Sequence, residues 1–427
     1  MRISVIGTGY VGLVTGACFA SRGNEVTCVD IDKARVENIN KGIPPIYENG
    51  LQELLSQSLK KGTIHATAHL EEIINTDISF ICVGTPSGLL GYIDLKYVEE
   101  VAKEIGNLLK DKKDFHVVVV KSTVVPGTTE YMVQPLLEKC SGKKSGEDFG
   151  VAMNPEFLRE GKAVQDFIHP DRIVLGCTDQ RSRDMLIELY SDFDSQIMNT
   201  RPSTAEMIKY ATNSFLVTKI SFINEIGNIC KELGIDVYEV AKGLGMDSRI
   251  SPKFLNSGLG FGGSCFPKDV KALVGKAQEV YYRPSLLNAA LEINDAQALR
   301  MVEILEKKAG PLKGIDTVVL GLAFKPGTDD MREAQSIKVV HSLLRKGAKV
   351  YVTDPKAMEE AKKIFGEHER LVYCSSPEEA VKHGKYVLIV TEWDDFRKEN
   401  LYKGKIVIDG RRIEEAKIAD DYEGICW

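Results

Sequence analysis

The sequence predicts an α/β protein of two Rossmann-like nucleotide-binding domains, joined by a long central helix and a helical middle domain. Three observations carry that reading. The chain opens with a strand, a Gly-x-Gly-x-x-Gly turn and a small-residue helix over Arg2–Ala20. A helical pattern runs unbroken from Ser203 to about Leu233. A second strand–turn–helix–strand pattern begins at Asp316, and its segment Arg345–Asp354 echoes Arg22–Asp30. The expected domains are residues 1–200, 201–308 and 309–427.

Size and composition fit this division. A chain of 427 residues, 43% hydrophobic, buries more than one core. No apolar run reaches the ~18 residues of a membrane span, and Ile3–Ile6 lacks the flanks of a signal peptide, so no membrane partner and a cytoplasmic location are expected. Nine cysteines without a Cys-x-x-Cys pair argue against a disulfide framework and a metal site, and most should be reduced and buried. The net charge of −6 comes without a basic stripe, which argues against nucleic acid. An anionic ligand would need locally placed Lys and Arg.

In chain order, Arg2–Ile6 is β-prone. Gly7 permits a tight turn, Gly9 lets a pyrophosphate approach the backbone, and Gly12 allows helix to pack closely on strand. The strand after Arg22 ends in Asp30, placed to accept hydrogen bonds from a ribose and to repel a 2′-phosphate, which favours NAD over NADP. Strands Ile78–Val83 and Val117–Val120 run into Gly84-Thr-Pro86 and Lys121-Ser-Thr123. Ligands sit at the carboxyl ends of parallel strands, so Thr85 and Thr123 either touch a ligand or only satisfy loop backbone. Val151–Glu160 brings Glu156 and Glu160 onto a loop before the strand Arg172–Gly176.

The long helix opens on Ser203-x-x-Glu206, a capping box that gives Glu206 a local duty, and stops at Gly234. Lys209 and Asn213 share a face with Leu216, Val217 and Ile220; such polar groups either snorkel or face a polar cavity. Gly260–Asp269 places Cys265 in a glycine-rich bend with Lys268 and Asp269 behind it. Alone, it reads more safely as a buried structural thiol. Helices are expected at Val270–Ala277 and Leu286–Lys308. Asp316–Leu320 and Lys349–Asp354 are strands around a helix ending near Lys346. The turn between Leu320 and that helix lacks the glycine spacing, so it should bind something other than a second NAD, with Lys325 and Arg332 as phosphate or carboxylate ligands. Tyr386–Thr391 and Lys405–Ile408 complete the strands.

Seven motifs, in one order over the whole chain, then resemble a known family. They are the N-terminal fingerprint with Gly84-Thr-Pro86 and Ser122-Thr123, Asn154–Glu160, Thr204-x-Glu-x-x-Lys-Tyr-x-x-Asn213, Gly260–Asp269 and Phe324–Arg332. Together they are similar to the UDP-glucose/GDP-mannose dehydrogenase family of nucleotide-sugar dehydrogenases. Phe-Gly-Gly-Ser-Cys-Phe-Pro-Lys-Asp and Asn-Pro-Glu-Phe-Leu-Arg-Glu look like its glucose type, with GDP-mannose as the competing substrate. A two-electron 3-hydroxy acid dehydrogenase would share the first domain but needs no cysteine.

The resemblance implies an enzyme that oxidises the sugar C6 alcohol to a carboxylate with two NAD and one water. Cys265 would form a thiohemiacetal and then a thioester. Lys209 and Asn213 would stabilise the oxyanion, Asp269 would relay a proton, Glu156 would assist hydrolysis and Thr123 would hold the water. Implied NAD contacts are Gly7, Gly9, Tyr10, Val11, Gly12, Asp30 and Lys33, with Thr85, Thr123, Glu160, Lys268 and Arg332. For UDP-glucose they are Glu156, Phe157, Leu158 and Arg159, Lys209 and Asn213, the loop Phe254, Leu255, Asn256, Ser257 and Gly258, then Gly262, Phe324 and Lys325. The glycines around Cys265 would let backbone approach the sugar. Arg249 resembles an arginine that reaches a partner's substrate, implying at least a homodimer with the long helix at its core. Gly88–Asp94 departs from the family's more polar loop.

Overall fold

The structure, a computed structural model, describes residues 1–88 and 91–427. Leu89 and Leu90, inside the divergent Gly88–Asp94 loop, lie outside the described residues. Around them Ser87 and Ile93 form an antiparallel bridge.

The chain divides into two compact units, Met1–Thr212 and Asn213–Trp427. The first holds β1 (Arg2–Ile6), β2 (Glu25–Val29), β3 (Ile64–Thr67), β4 (Ile78–Ile81), β5 (Val117–Val120), β6 (Gly150–Met153), β7 (Ile173–Cys177) and β8 (Ile197–Thr200). They make one sheet in the order β3-β2-β1-β4-β5-β6-β7-β8, parallel except where β7 runs against β6. These strands read as continuous apolar runs because helices cover both faces; Val117, Val118, Val119 and Val120 are all fully buried. Burial of each such side chain contributes about 1.5–3 kcal/mol. The strand order reverses between β1 and β4, which makes the carboxyl ends of those two strands the crevice where a ligand binds.

The second unit holds β9 (Asp316–Leu320), β10 (Lys349–Thr353), β11 (Leu371–Tyr373), β12 (Tyr386–Ile389), β13 (Ile406–Asp409) and β14 (Asp421–Gly424). Their order, β11-β10-β9-β12-β13-β14, repeats the doubly wound pattern, parallel throughout. The α/β class with two Rossmann-like sheets is therefore as the sequence predicts. β11 and β14 escape sequence reading because they are short edge strands, and Asp-Tyr-Glu-Gly lacks a β-branched run. The helices Phe266–Glu279 and Ser285–Ala309 belong to this unit.

The helix Pro202–Leu233 spans the division. Its start corrects the expected capping box. The first helical residue is Pro202, whose missing N–H costs nothing there, so Ser203 is already inside the helix. The Ser203 N–H donates to Glu130 Oε2 at 3.1 Å. Glu206 does not fold back on Ser203; its carboxylate accepts from Gly127 and Thr129 instead.

Among the described residues no helix is long and apolar enough to cross a membrane. The cysteines form no disulfide there, and Cys265 is the exposed one.

Candidate active site

At the end of β1, Gly7 sits at φ +92°, a conformation L side chains rarely adopt. A Cβ on Gly12 would lie 1.8 Å from the Gly7 carbonyl oxygen, whereas one on Gly9 would meet nothing within 4 Å. One glycine makes the turn, one admits the helix and one leaves the backbone open. Tyr10 and Val11 begin the helix Tyr10–Ser21, in the first turn whose N–H groups lack intrahelical acceptors. The Tyr10 hydroxyl donates to Glu48, so its side chain is held by protein. Glu48 also accepts from Gly161 N–H at 2.7 Å and Ala163 N–H at 2.9 Å, tying the loop after Glu160 to this helix. Sequence reading missed Glu48, whose loop partners Gly161 and Ala163 lie more than a hundred residues away.

Asp30 is buried at the end of β2. Its Oδ2 accepts from the Thr8 N–H at 2.8 Å and hydroxyl at 2.6 Å, and Oδ1 accepts from Asp32 N–H at 3.0 Å. Burial alone would raise its carboxyl, but these bonds and Arg35 at 3.8 Å outweigh it and hold the group below the usual range. The acid is therefore ionised and an acceptor only, as a ribose hydroxyl needs. Lys33 opens the next helix, capped by Asp32. These residues fit a dinucleotide. Thr85 donates its hydroxyl to the Thr123 carbonyl at 2.9 Å, so one lone pair set remains for a ligand.

On the loop after β6, Glu156 and Lys209 form a buried ion pair at 2.7 Å, their side chains 6% and 5% exposed. Glu156 Oε2 also accepts from Leu158 N–H at 2.6 Å. Burial pushes the Glu156 carboxyl up, yet Lys209, Leu158 N–H and Lys121 together bring it below the ordinary value. Lys121, missed by sequence reading, is itself buried, donates to Asn154 Oδ1 at 2.8 Å and is pushed down to about 8 by burial. Phe157 lies under Arg172, 4.0 Å from its ring centre. Arg159 is paired with Asp166 at the surface.

In the second unit Cys265 is the N-cap of the helix Phe266–Glu279, where the helix dipole favours an anionic sulfur. Its Sγ lies 3.4 Å from Ser264 Oγ. One turn on, the buried Asp269 takes the Lys268 ammonium on Oδ1 at 2.8 Å and the Asn213 amide on Oδ2 at 2.6 Å. The carboxylate thus fixes the Asn213 amide.

The glycines around Cys265 are also required by the protein's own atoms. A Cβ at Gly260 would lie 2.3 Å from Asn294 Oδ1, at Gly262 2.6 Å from the Glu333 carbonyl, and at Gly263 2.8 Å from the Phe324 ring. They let the cysteine bend pack on the loop Gly321–Glu333. Ser257 and Gly258 are pinned by Tyr238, Asn224 and Gln297. Leu255 is buried, Asn256 is exposed, and Phe254 takes φ +65°, a strained backbone for a side chain of its size. Arg249 and Arg332 pair with Asp247 and Asp330 two residues before them. Lys325 Nζ lies 5.2 Å from the Phe324 ring centre.

Asp354 occupies in the second sheet the position of Asp30 in the first. Its Oδ2 accepts from Leu322 N–H, Ala323 N–H and Trp393 Nε1, and Oδ1 from Lys356 and Ala357 N–H. Saturated in this way, it has nothing left for a ribose, whereas Asp30 has. Elsewhere, Cys374, Glu379 and His383 bring ligand atoms within 4.8 Å of one another, with Glu379 already accepting from Ser375 N–H and hydroxyl.

The profile of the UDP-glucose/GDP-mannose dehydrogenase family matches in three parts: its NAD-binding domain over residues 1–194, its central domain over 203–296 and its UDP-binding domain over 318–416. The chain is 43% identical to a UDP-glucose 6-dehydrogenase of Haloferax volcanii over 100% of both chains. It is 40% identical to a GDP-mannose 6-dehydrogenase of Azotobacter vinelandii, again over 100% of each. The solved structure of a UDP-glucose dehydrogenase from Pyrobaculum islandicum superposes with a TM-score of 0.95 at 42% identity, covering 100% of this chain and 98% of that one. The chain belongs to the UDP-glucose/GDP-mannose dehydrogenase family.

Proposed function

We propose that the chain oxidises the C6 alcohol of UDP-glucose to the carboxylate, giving UDP-glucuronate. Each turnover consumes two NAD and one water. The observation that carries this reading is an exposed thiol at a helix N-terminus, one turn from the buried Asp269–Asn213 pair. A two-electron dehydrogenase has no use for that thiol.

NAD, when bound, takes one hydride from C6 in each of two rounds. The first round leaves an aldehyde. The Cys265 thiolate adds to its carbon, and the Asn213 amide and Lys209 ammonium stabilise the oxygen anion that forms. Loss of the second hydride turns the thiohemiacetal into a thioester. Water, held by the Thr123 hydroxyl and assisted by Glu156, then adds to the acyl carbon, and the Cys265 thiolate leaves. Asp269 relays the proton.

In this reading residues 1–200 hold NAD, 201–308 carry the thiol and the dimer contact, and 309–427 hold the UDP group. Glu160, Lys268 and Arg332 reach the cofactor, while Phe157, Leu158, Arg159, Phe254–Gly258, Gly262, Phe324 and Lys325 reach the sugar nucleotide. The free thiols suit a reducing cytoplasm. With UDP-glucose, GDP-mannose and UDP-N-acetylmannosamine offered in turn, NADH should form with UDP-glucose at a kcat/KM at least about tenfold above the others. Equal or greater turnover of GDP-mannose would reassign the substrate.

The active unit is a homodimer. Phe215, Phe222, Ile229 and Leu233 are exposed along one stripe of the long helix, at spacings of seven and four residues. A second copy covers it, and Arg249 reaches the partner's substrate. Sedimentation should show a dimer that Phe222→Glu converts to monomer; a monomeric parent chain refutes this assembly.

A further inference from the structure

The loop that carries Thr123 is fixed at its start by the first sheet. Lys121 and Ser122 both donate their N–H groups to the Ile81 carbonyl at 2.9 Å, and the Ser122 hydroxyl donates to the Val83 carbonyl at 2.7 Å. The far end has no strand to pair with. There the Gly127 N–H, the Thr129 N–H and the Thr129 hydroxyl donate to the carboxylate of Glu206, at 2.6, 2.8 and 2.6 Å.

Gly127–Thr129 leads into the helical segments Thr129–Val133 and Gln134–Ser141, so Glu206 takes the N–H groups that an N-cap side chain would take. The cap comes from another helix, 77 residues away in sequence. That helix also carries Lys209, three residues after Glu206. Glu206 is fully buried, and its carboxylate is held by hydrogen bonds from Gly127 and Thr129. The facing charge is Glu130, whose carboxylate is taken by Arg201 at 2.9 Å. Burial pushes the Glu206 carboxyl up to about 7 in spite of its three hydrogen bonds. Burying a carboxylate is costly. The helix it belongs to does not need it as a cap, since Pro202 and Glu130 already serve that start.

We propose that Glu206 is a positioning residue that ties the Thr123 loop to the helix of Lys209, holding the hydroxyl and the ammonium in one register for the acyl-transfer steps. The inference rests on the roles given above to Thr123 and Lys209. Glu206 touches neither substrate nor cofactor and acts through Gly127 and Thr129.

Two graded pairs test it. Glu206→Gln keeps the volume but offers a single acceptor oxygen and turns an amide against an N–H donor. Thr129→Val removes the hydroxyl bond alone, and Thr129→Ser restores it. In NADH-linked kinetics with UDP-glucose, Glu206→Gln should lower kcat by about tenfold or more with KM for both substrates within about twofold, since ångström-scale misplacement acts on the chemical step. Thr129→Val should lower kcat several-fold, and Thr129→Ser should return it to the parent value. A parent-like kcat in folded Glu206→Gln overturns the proposal, as does a Thr129→Ser variant no better than Thr129→Val. Should Glu206→Gln fail to fold, the Thr129 pair decides alone. The NADH yield per sugar of the parent enzyme is read in the same assay and judges the reaction separately, so a failed reaction and a failed tether give different results.

Discussion

Replacing Cys265 by Ala should lower NADH production by about 10³-fold or more, because in the proposed route the nucleophile acts as a unit with its oxyanion donors. Aldehyde formation needs no thiol; everything after it does. The chain offers no substitute nearby, since the other cysteines among the described residues are buried or half-buried. Burial pushes Cys18, Cys28, Cys82 and Cys177 up to about 12, leaving them protonated at neutral pH. Cys265→Ser is the informative companion. A serine oxygen at the same N-cap would be acylated to an ester, which releases its acyl group more slowly than a thioester. Intact-mass measurement after mixing with UDP-glucose and NAD should show a stalled covalent adduct on the Ser variant and none on Ala. Full turnover by Cys265→Ala would remove the covalent route.

The second large effect falls on the Lys209–Glu156 pair. Removing one partner leaves the other charge buried and uncompensated, at a cost of about 3–5 kcal/mol. Lys209→Met should therefore lose that much stability as well as activity, while Lys209→Met with Glu156→Leu should recover most of the stability and none of the activity. The pH dependence separates this from a simple packing loss. In the parent chain the Glu156 carboxyl is held below its unfolded value, so its contribution is present above pH ~4.3 and fades as pH falls through the lower folded value. Without Lys209 burial dominates and raises the carboxyl, so the variant should gain stability as pH falls from neutrality toward 5. Urea unfolding of both chains between pH 5 and 8 reads the two slopes. A variant whose slope matches the parent would show that the pair is not buried in solution.

Much of this was legible in the residues because the relevant physics is local. The Gly7, Gly9 and Gly12 spacing is dictated by one turn and one helix contact, and the structure gives each glycine the steric surroundings expected. The shared face of Lys209 and Asn213 follows from helical period alone. What sequence could not show depends on partners far along the chain. Ser203-x-x-Glu206 has the form of a capping box, yet Glu206 caps the segment at Thr129, because Pro202 and Glu130 serve the helix start first. The packing need of the glycines in Gly260–Gly263, against Asn294, Glu333 and Phe324, is likewise invisible in the sequence. Asp354 echoes Asp30 in sequence, but five N–H donors from three loops saturate it. Such differences live in tertiary hydrogen bonding, which no local pattern encodes.

In the proposed route a single cysteine carries C6 through two oxidations. Its most direct test is the amount of NADH formed when a limiting, weighed quantity of UDP-glucose is driven to completion with excess NAD. Two NADH per UDP-glucose are expected, with UDP-glucuronate as the product; one NADH per sugar, with an aldehyde accumulating, would rule out the second oxidation.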